Sequence, residues 1–237
     1  MTNKFDIEMY ADTACPWCYI GKRGLDNAMA TYRVRHPEAE FRVSWKPYIL
    51  YPMARRTSYT KKAFITSIVG PERAPVLFAR LAQLAAQHDL PPLRWDGPIG
   101  NTMDSHKLIM LARKLDITTP SSSSSSSSSL QNTTVDTVFH GIFAENRDIS
   151  DRGFLVEVAL ANGLAPSETE VLAWLDGDEA SRLVGVQAAL ARTIDITAVP
   201  SFVVQGRYRV GGRQDAEVFL ELFDRIRERE EVKGGEE

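Results

Sequence analysis

The sequence predicts a mixed α/β fold: a strand–helix–strand unit at the start, a strand–strand–helix unit at the end, and a long helical insertion between them. Three observations carry this. Apolar residues alternate with polar ones at 5–11 and 41–48, the period of a half-buried strand. From about 58 to 193 the apolar spacing is instead mostly that of helices. Strand signals then return at 201–204 and 208–210, ahead of one last amphipathic segment.

Taken in order, Phe5-Asp6-Ile7-Glu8-Met9-Tyr10-Ala11 reads as the first strand. The turn Asp12-Thr13-Ala14 leads into Cys15-Pro16-Trp17-Cys18 and a helix-like stretch over 19–32. Phe41-Arg42-Val43-Ser44-Trp45-Lys46-Pro47-Tyr48 is the second strand by alternation and aromatic content. Helices are expected over 71–88 and from Asn101 or Thr102, as cap, through Leu115. Others are expected over 134–145, 151–161, 168–175 and 178–193, with Asn162-Gly163 and Asp176-Gly177 as stops. Gln205-Gly206-Arg207 reads as a hairpin turn. The last helix spans about 215–227, with Val218, Phe219, Leu222, Phe223 and Ile226 facing the core, and residues 227–237 are expected to fray. The division is therefore 1–57 with 194–237 as one discontinuous domain and 58–193 as the helical insertion. Nine consecutive serines, Ser121 to Ser129, form a polar loop at 120–130 that reads as a linker without function.

The chain has 237 residues, 43% of them apolar and 25% charged, as is ordinary for a globular protein. A net charge of −3 gives no reason to expect nucleic acid or an anionic membrane as partner. No apolar run approaches the ~20 residues that span a bilayer. The N-terminus is broken by charges and lacks a signal-peptide core, so a cytoplasmic location is expected.

In a reducing compartment two paired thiols point to catalysis or metal binding rather than to a structural disulfide. Cys15 and Cys18 are the only cysteines. They supply two of the four ligands of a tetrahedral zinc site, and His36, His88, His106 and His140 show no ligand spacing, so no metal is expected. A strand–turn–Cys-x-x-Cys–helix order sets Cys15 at a helix N-terminus, where unpaired N–H groups and the helix dipole favour a thiolate. A second sulfur one helical turn on can close onto it. The pair reads as redox-active, with Cys15 as the exposed nucleophile and Cys18 as the resolving thiol. Pro16 and Trp17 carry no proton-transfer group; they shape the turn and cover Cys18. Lys46 is either a solvent-facing strand residue or a partly buried ammonium that favours the thiolate. His106 is either an ordinary helix histidine or part of a substrate cleft. Pro200 either opens an edge strand or holds a cis peptide beside the cysteines.

Four stretches carry a family resemblance: Asp12-Thr13-Ala14-Cys15-Pro16-Trp17-Cys18-Tyr19-Ile20-Gly21-Lys22, Trp45-Lys46-Pro47-Tyr48, Asn101-Thr102-Met103-Asp104-Ser105-His106-Lys107-Leu108 and Ala198-Val199-Pro200-Ser201-Phe202-Val203. Together they resemble the DsbA-type branch of thioredoxin-like oxidoreductases, and within it the FrnE-like group, relatives of 2-hydroxychromene-2-carboxylate isomerases and kappa-class glutathione transferases. The resemblance implies a thioredoxin-like fold with an all-helical insertion, and Val199-Pro200 as the cis-proline loop facing the cysteines. In that fold the loop's backbone pairs with an extended peptide or thiol ligand. The implied activity is thiol–disulfide exchange through a mixed disulfide, on a protein or a small molecule. No cofactor is tightly bound on this reading, though glutathione is an implied co-substrate or reductant. Arg213 and Gln214 match the family's loop into the last helix and are assigned to packing or turn geometry. The alternatives are a glutathione-dependent transferase or isomerase, whose members usually carry serine at the Cys15 position, and a redox-regulated binding protein without turnover. The helical insert offers surface for a homodimer.

Overall fold

A computed structural model describes residues 4–55, 58–118 and 129–234. Strands β1 (Lys4–Ala11), β2 (Glu40–Pro47), β5 (Ser201–Val204) and β6 (Tyr208–Gly211) form one sheet in the order β2-β1-β5-β6. β1 and β2 run parallel, joined by helix α1 (Pro16–Arg35), while β5 and β6 are antiparallel to their neighbours. The alternation in β1 sorts its side chains. Phe5, Ile7, Met9 and Ala11 are each at most 2% exposed and pack in the main core with Tyr32 of α1 and Phe219 and Phe223 of helix α9 (Ala216–Gly234). Phe5 stacks on Phe41 of β2 with ring centroids 4.9 Å apart, and Phe223 lies as close to both rings. Tyr10 points to the other face, where Val203 and Ile196 meet Ala191 of helix α8 (Asp178–Thr193).

Between the two halves lie helices α2 (Lys61–Val69), α3 (Ala74–Gln87), α4 (Met103–Thr118), α5 (Leu130–Phe143), α6 (Arg152–Ala161), α7 (Glu168–Asp176) and α8. A two-stranded ribbon, β3 (Tyr59–Thr60) with β4 (Pro98–Ile99), precedes α2 and α4. These helices share the core of the sheet half: Tyr19 of α1 stacks on Phe139 and Phe143 of α5, and Trp45 of β2 meets Phe139 edge-on. Gln131 of α5 ties into β2 directly, accepting from Trp45 N–H at 3.0 Å and donating to the Trp45 carbonyl.

Two expectations need correction, and two elements were not anticipated. The last helix does not fray from residue 227 but continues to Gly234. Its extension is rich in glutamate and arginine, strong helix formers, with opposite charges at i, i+3 and i, i+4 in the sequence, a pattern that supports a helix. Ser129 is more than linker: it caps α5, its side chain accepting from Asn132 N–H, which starts that helix at Leu130 rather than at 134. The rest of the serine tract lies outside the described residues. Helix α2 and the β3–β4 ribbon were not anticipated from the periodicity.

Candidate functional site

β1 ends at Ala11, and the chain turns at Asp12 before entering α1. The turn is held by the Asp12 carboxylate, which is buried and accepts from Ala14 N–H at 3.2 Å and, through its other oxygen, from Leu50 N–H at 2.7 Å. The Asp12 carbonyl accepts from Cys15 N–H. Cys15 is then the N-cap of α1, in extended conformation, with Pro16 in the first turn where its missing N–H costs nothing. The Cys15 side chain makes no capping bond; its carbonyl takes the N–H groups of Cys18 and Tyr19. The sulfur therefore stands at the positive end of a 20-residue helix.

The register of β5 on β1 supplies the other wall. Met9 faces Phe202 and Tyr10 faces Ser201, so the next step sets Pro200 opposite the end of β1. The Val199–Pro200 peptide is cis. The Cys15 thiol points to the Val199 carbonyl, 4.0 Å away. Gly21 of α1 makes this approach possible, because a Cβ there would lie 2.9 Å from Pro200 Cγ.

Both thiols are free. Cys15 is 5% exposed and Cys18 fully buried, so the expectation of an exposed Cys15 is corrected: its sulfur faces the Val199 carbonyl in a largely covered position. Pro16 and Trp17 are half-buried beside it. Burial pushes the Cys18 thiol well above its ordinary range, and its hydrogen bond with Cys15 adds to this. Cys18 therefore holds its proton more tightly than an ordinary thiol, chiefly because it is buried.

Lys46 is placed elsewhere. Its ammonium sits 2.9 Å from the Glu8 carboxylate, and Tyr10 donates to the same carboxylate at 2.8 Å. Lys46 pairs in register with Tyr10, whose side chain packs towards α8. Burial raises the Glu8 carboxyl, but the Lys46 and Tyr10 hydrogen bonds outweigh it and leave it below its ordinary value. Lys46 therefore serves Glu8 rather than either thiol.

His106 does not line an open cleft. It is 1% exposed, on the first turn of α4, with its Nε2 3.5 Å from Asp12 Oδ1. Next to it, Ser105 and Thr13 share a 2.8 Å hydrogen bond. Residues 12–13 and 105–106 thus form a two-point contact between the cysteine turn and α4. Asp12 was missed as a site residue by sequence reasoning; its only signal was a position three residues before Cys15. Arg213 pairs with Asp215, and Gln214 donates to the Gly211 carbonyl, so both shape the entry to α9. Among the described residues no group of three or more His, Cys, Asp or Glu side chains is placed to hold a metal ion.

A strand–helix–strand half and a strand–strand–helix half on one sheet, with two thiols at the first helix N-terminus and a cis proline facing them, define a thioredoxin-fold dithiol protein. More particularly, the model of the DSBA-like thioredoxin domain matches residues 6–224, and the chain belongs to that family. Among solved structures it is similar to a probable DsbA oxidoreductase from Streptomyces coelicolor, at 28% identity and a TM-score of 0.78, over 93% of this chain and 89% of that one. The cytosolic disulfide reductase DsbM from Pseudomonas aeruginosa shares the fold at 17% identity and a TM-score of 0.59, over 96% and 98% of the two chains. A 2-hydroxychromene-2-carboxylate isomerase shares it at 14% identity and a TM-score of 0.60, over 97% and 94%. No curated protein sequence matches. No helix among the described residues is long and apolar enough to cross a membrane.

Proposed function

We propose that the chain is a thiol–disulfide oxidoreductase or isomerase that works through the Cys15–Cys18 pair. The observation that carries this is the placement of Cys15: an N-cap thiol, facing the Val199 carbonyl, with Cys18 one turn behind it. A disulfide substrate is attacked by the Cys15 thiolate, which forms a mixed disulfide and releases one substrate thiol. Cys18 then displaces the second thiol and leaves the Cys15–Cys18 disulfide. The reverse sequence oxidises a dithiol substrate. The Val199 backbone is the surface on which an extended substrate segment would lie, by the logic of strand addition.

Glutathione is the reductant this reading favours, supported by the DsbM structure solved with GSH, which shares the fold at 17% identity over 96% of this chain. A cytosolic setting, as in DsbM's description, suits a pair kept reduced by that pool. We further read residues 58–193 as a helical insertion in the thioredoxin-like domain formed by 1–57 and 194–237. The presence of two thiols weighs against the transferase-type alternative.

The test is trapping. A Cys18→Ala variant exposed to oxidised glutathione should accumulate one glutathione adduct at Cys15 by intact mass, while the wild type should pass through that adduct to an internal disulfide. A wild type that stops at the adduct would favour the glutathione-transferase reading.

A further inference from the structure

The seam between α1 and α5 holds a cavity of about 400 Å³ that the exchange chemistry above does not use. Tyr19, Arg23 and Asp26 line it from α1, and Asp136, Thr137 and His140 line it from α5. The three α1 residues are spaced i, i+4 and i+7, which is one face of a helix. Gly21, which faces Pro200, is two residues from Tyr19 and so about 200° around the helix from it. The cavity therefore lies on the side of α1 away from the cis-proline loop. Its volume is within the range of small-molecule sites.

Two donors in this lining have no partner among the described residues. Tyr19 is 6% exposed and its ring stacks on Phe139 and Phe143, with centroids 5.2 and 5.8 Å away, yet its hydroxyl makes no hydrogen bond. Burial raises the phenol above its ordinary range, so at neutral pH it is a donor. Arg23, half-buried, has neither a hydrogen bond nor an ion pair. The other groups are engaged. Asp26 Oδ2 and Asp136 Oδ1 each lie 2.8 Å from the ammonium of the buried Lys22. The Thr137 hydroxyl donates to the Thr133 carbonyl and accepts from Asn162, and His140 Nε2 faces Glu145 at 3.4 Å.

The charges define what fits. Lys22 and Arg23 offset Asp26 and Asp136 in number, but not in contact. Lys22 answers one oxygen of each carboxylate and leaves the other, while the Arg23 guanidinium, a fork that matches a carboxylate, faces no anion within ion-pair distance. An anion alone would meet two carboxylates, and a cation alone would meet an unpaired guanidinium. A ligand that carries both signs answers each. We propose that the α1–α5 cavity binds a small zwitterion, an amino acid or short peptide with free ammonium and carboxylate groups. Arg23 and the Tyr19 hydroxyl take its carboxylate, and the second oxygens of Asp26 and Asp136 take its ammonium. The ligand bridges the sheet half and the helical insertion, and its binding is non-covalent and independent of the thiols.

The experiment is titration calorimetry of the full, reduced chain at neutral pH with glycine, alanyl-alanine and alanyl-alanyl-alanine, and with the N-acetylated and amidated form of each. At least one of the three zwitterions should bind with a millimolar or tighter Kd. Masking either end should weaken it by about tenfold or more, the loss of a charge-assisted contact. Arg23→Gln should cost a similar factor and erase the preference for the free carboxylate over the amide. Tyr19→Phe keeps the ring stack and removes only the hydroxyl, and should cost about threefold to tenfold. Cys15→Ser should bind like the wild type. Urea unfolding checks that the variants fold; Arg23 gives up no partner, so Arg23→Gln should be as stable as the wild type. No saturable binding of any of the three, equal affinity for a masked form, or wild-type affinity in Arg23→Gln would overturn the proposal. Loss of binding in Cys15→Ser would move the ligand to the thiol site and overturn it equally. Should Arg23→Gln fail to fold, the masked peptides and Tyr19→Phe decide.

Discussion

Replacing Gly21 by alanine tests whether the fit of α1 against the Val199–Pro200 loop sets the active geometry. In the interior of an exposed helix the change should stabilise by about 1 kcal/mol, because alanine loses less backbone entropy. At Gly21 the new Cβ would lie 2.9 Å from Pro200 Cγ and 3.5 Å from Phe202 Cζ. Ordinary contact requires about half an ångström more, and overpacking of that kind costs about 1–3 kcal/mol. The net expectation is a loss of up to about 2 kcal/mol, with the Pro200 loop displaced from Cys15. Gly185 in α8 is the internal control: it is exposed and nothing lies within 4 Å of its Cβ position, so Gly185→Ala should show the unopposed gain. Urea unfolding gives both stabilities, and the rate of Cys15 attack on a disulfide probe reads the displacement. Gly21→Ala as stabilising as Gly185→Ala, with an unchanged rate, would refute the reasoning.

Lys61 is fully buried, its ammonium donating to the carbonyls of Arg94 and Ile142 and to Asn146, and burial lowers its pKa to about 8. Between pH 8 and about 10.5 the unfolded chain holds the proton more tightly, so this group's contribution to stability should rise with pH over that window, by up to about 3 kcal/mol. The stability of wild type minus that of Lys61→Met, followed by urea unfolding from pH 7 to 10, checks the sign; a difference that is flat or falling contradicts it. Ser129→Ala removes the α5 cap and should cost about 1 kcal/mol in thermal or urea unfolding. Lys46→Met should leave the rate of disulfide exchange within about twofold of wild type while lowering stability by about 1–2 kcal/mol, since Lys46 is paired with Glu8. A large change in exchange rate would return Lys46 to the thiol site.

β1 and β2 were legible because apolar and polar residues alternate along them, β5 because it is a short apolar run ahead of a turn, and the cysteine motif marks the turn between β1 and α1. The position of Cys15 at the helix start followed from local order alone. What escaped was short or non-local. β3 and β4 are two residues each, too brief for any period to show. The Cys15 sulfur faces the carbonyl of Val199, 184 residues away, and His106 faces Asp12, 94 residues before it. Lys46 sits in a strand whose alternation was recognised, but its carboxylate partner lies across the ladder on β1, a relation that only register reveals. The α9 extension escaped for a different reason: charge-rich ends were read as solvated tails, although glutamate and arginine at helical spacing support a helix equally well.

The measurement that bears most directly on the central claim is the thiol–disulfide equilibrium of the purified protein in glutathione buffers of stepped potential. Alkylation mass shifts report the thiol state, with Cys15→Ser and Cys18→Ser as controls. The account predicts a reversible two-electron transition that needs both cysteines and ends in an internal Cys15–Cys18 disulfide. Thiols that stay reduced throughout, or a stable glutathione adduct at Cys15 with no internal disulfide, would contradict it.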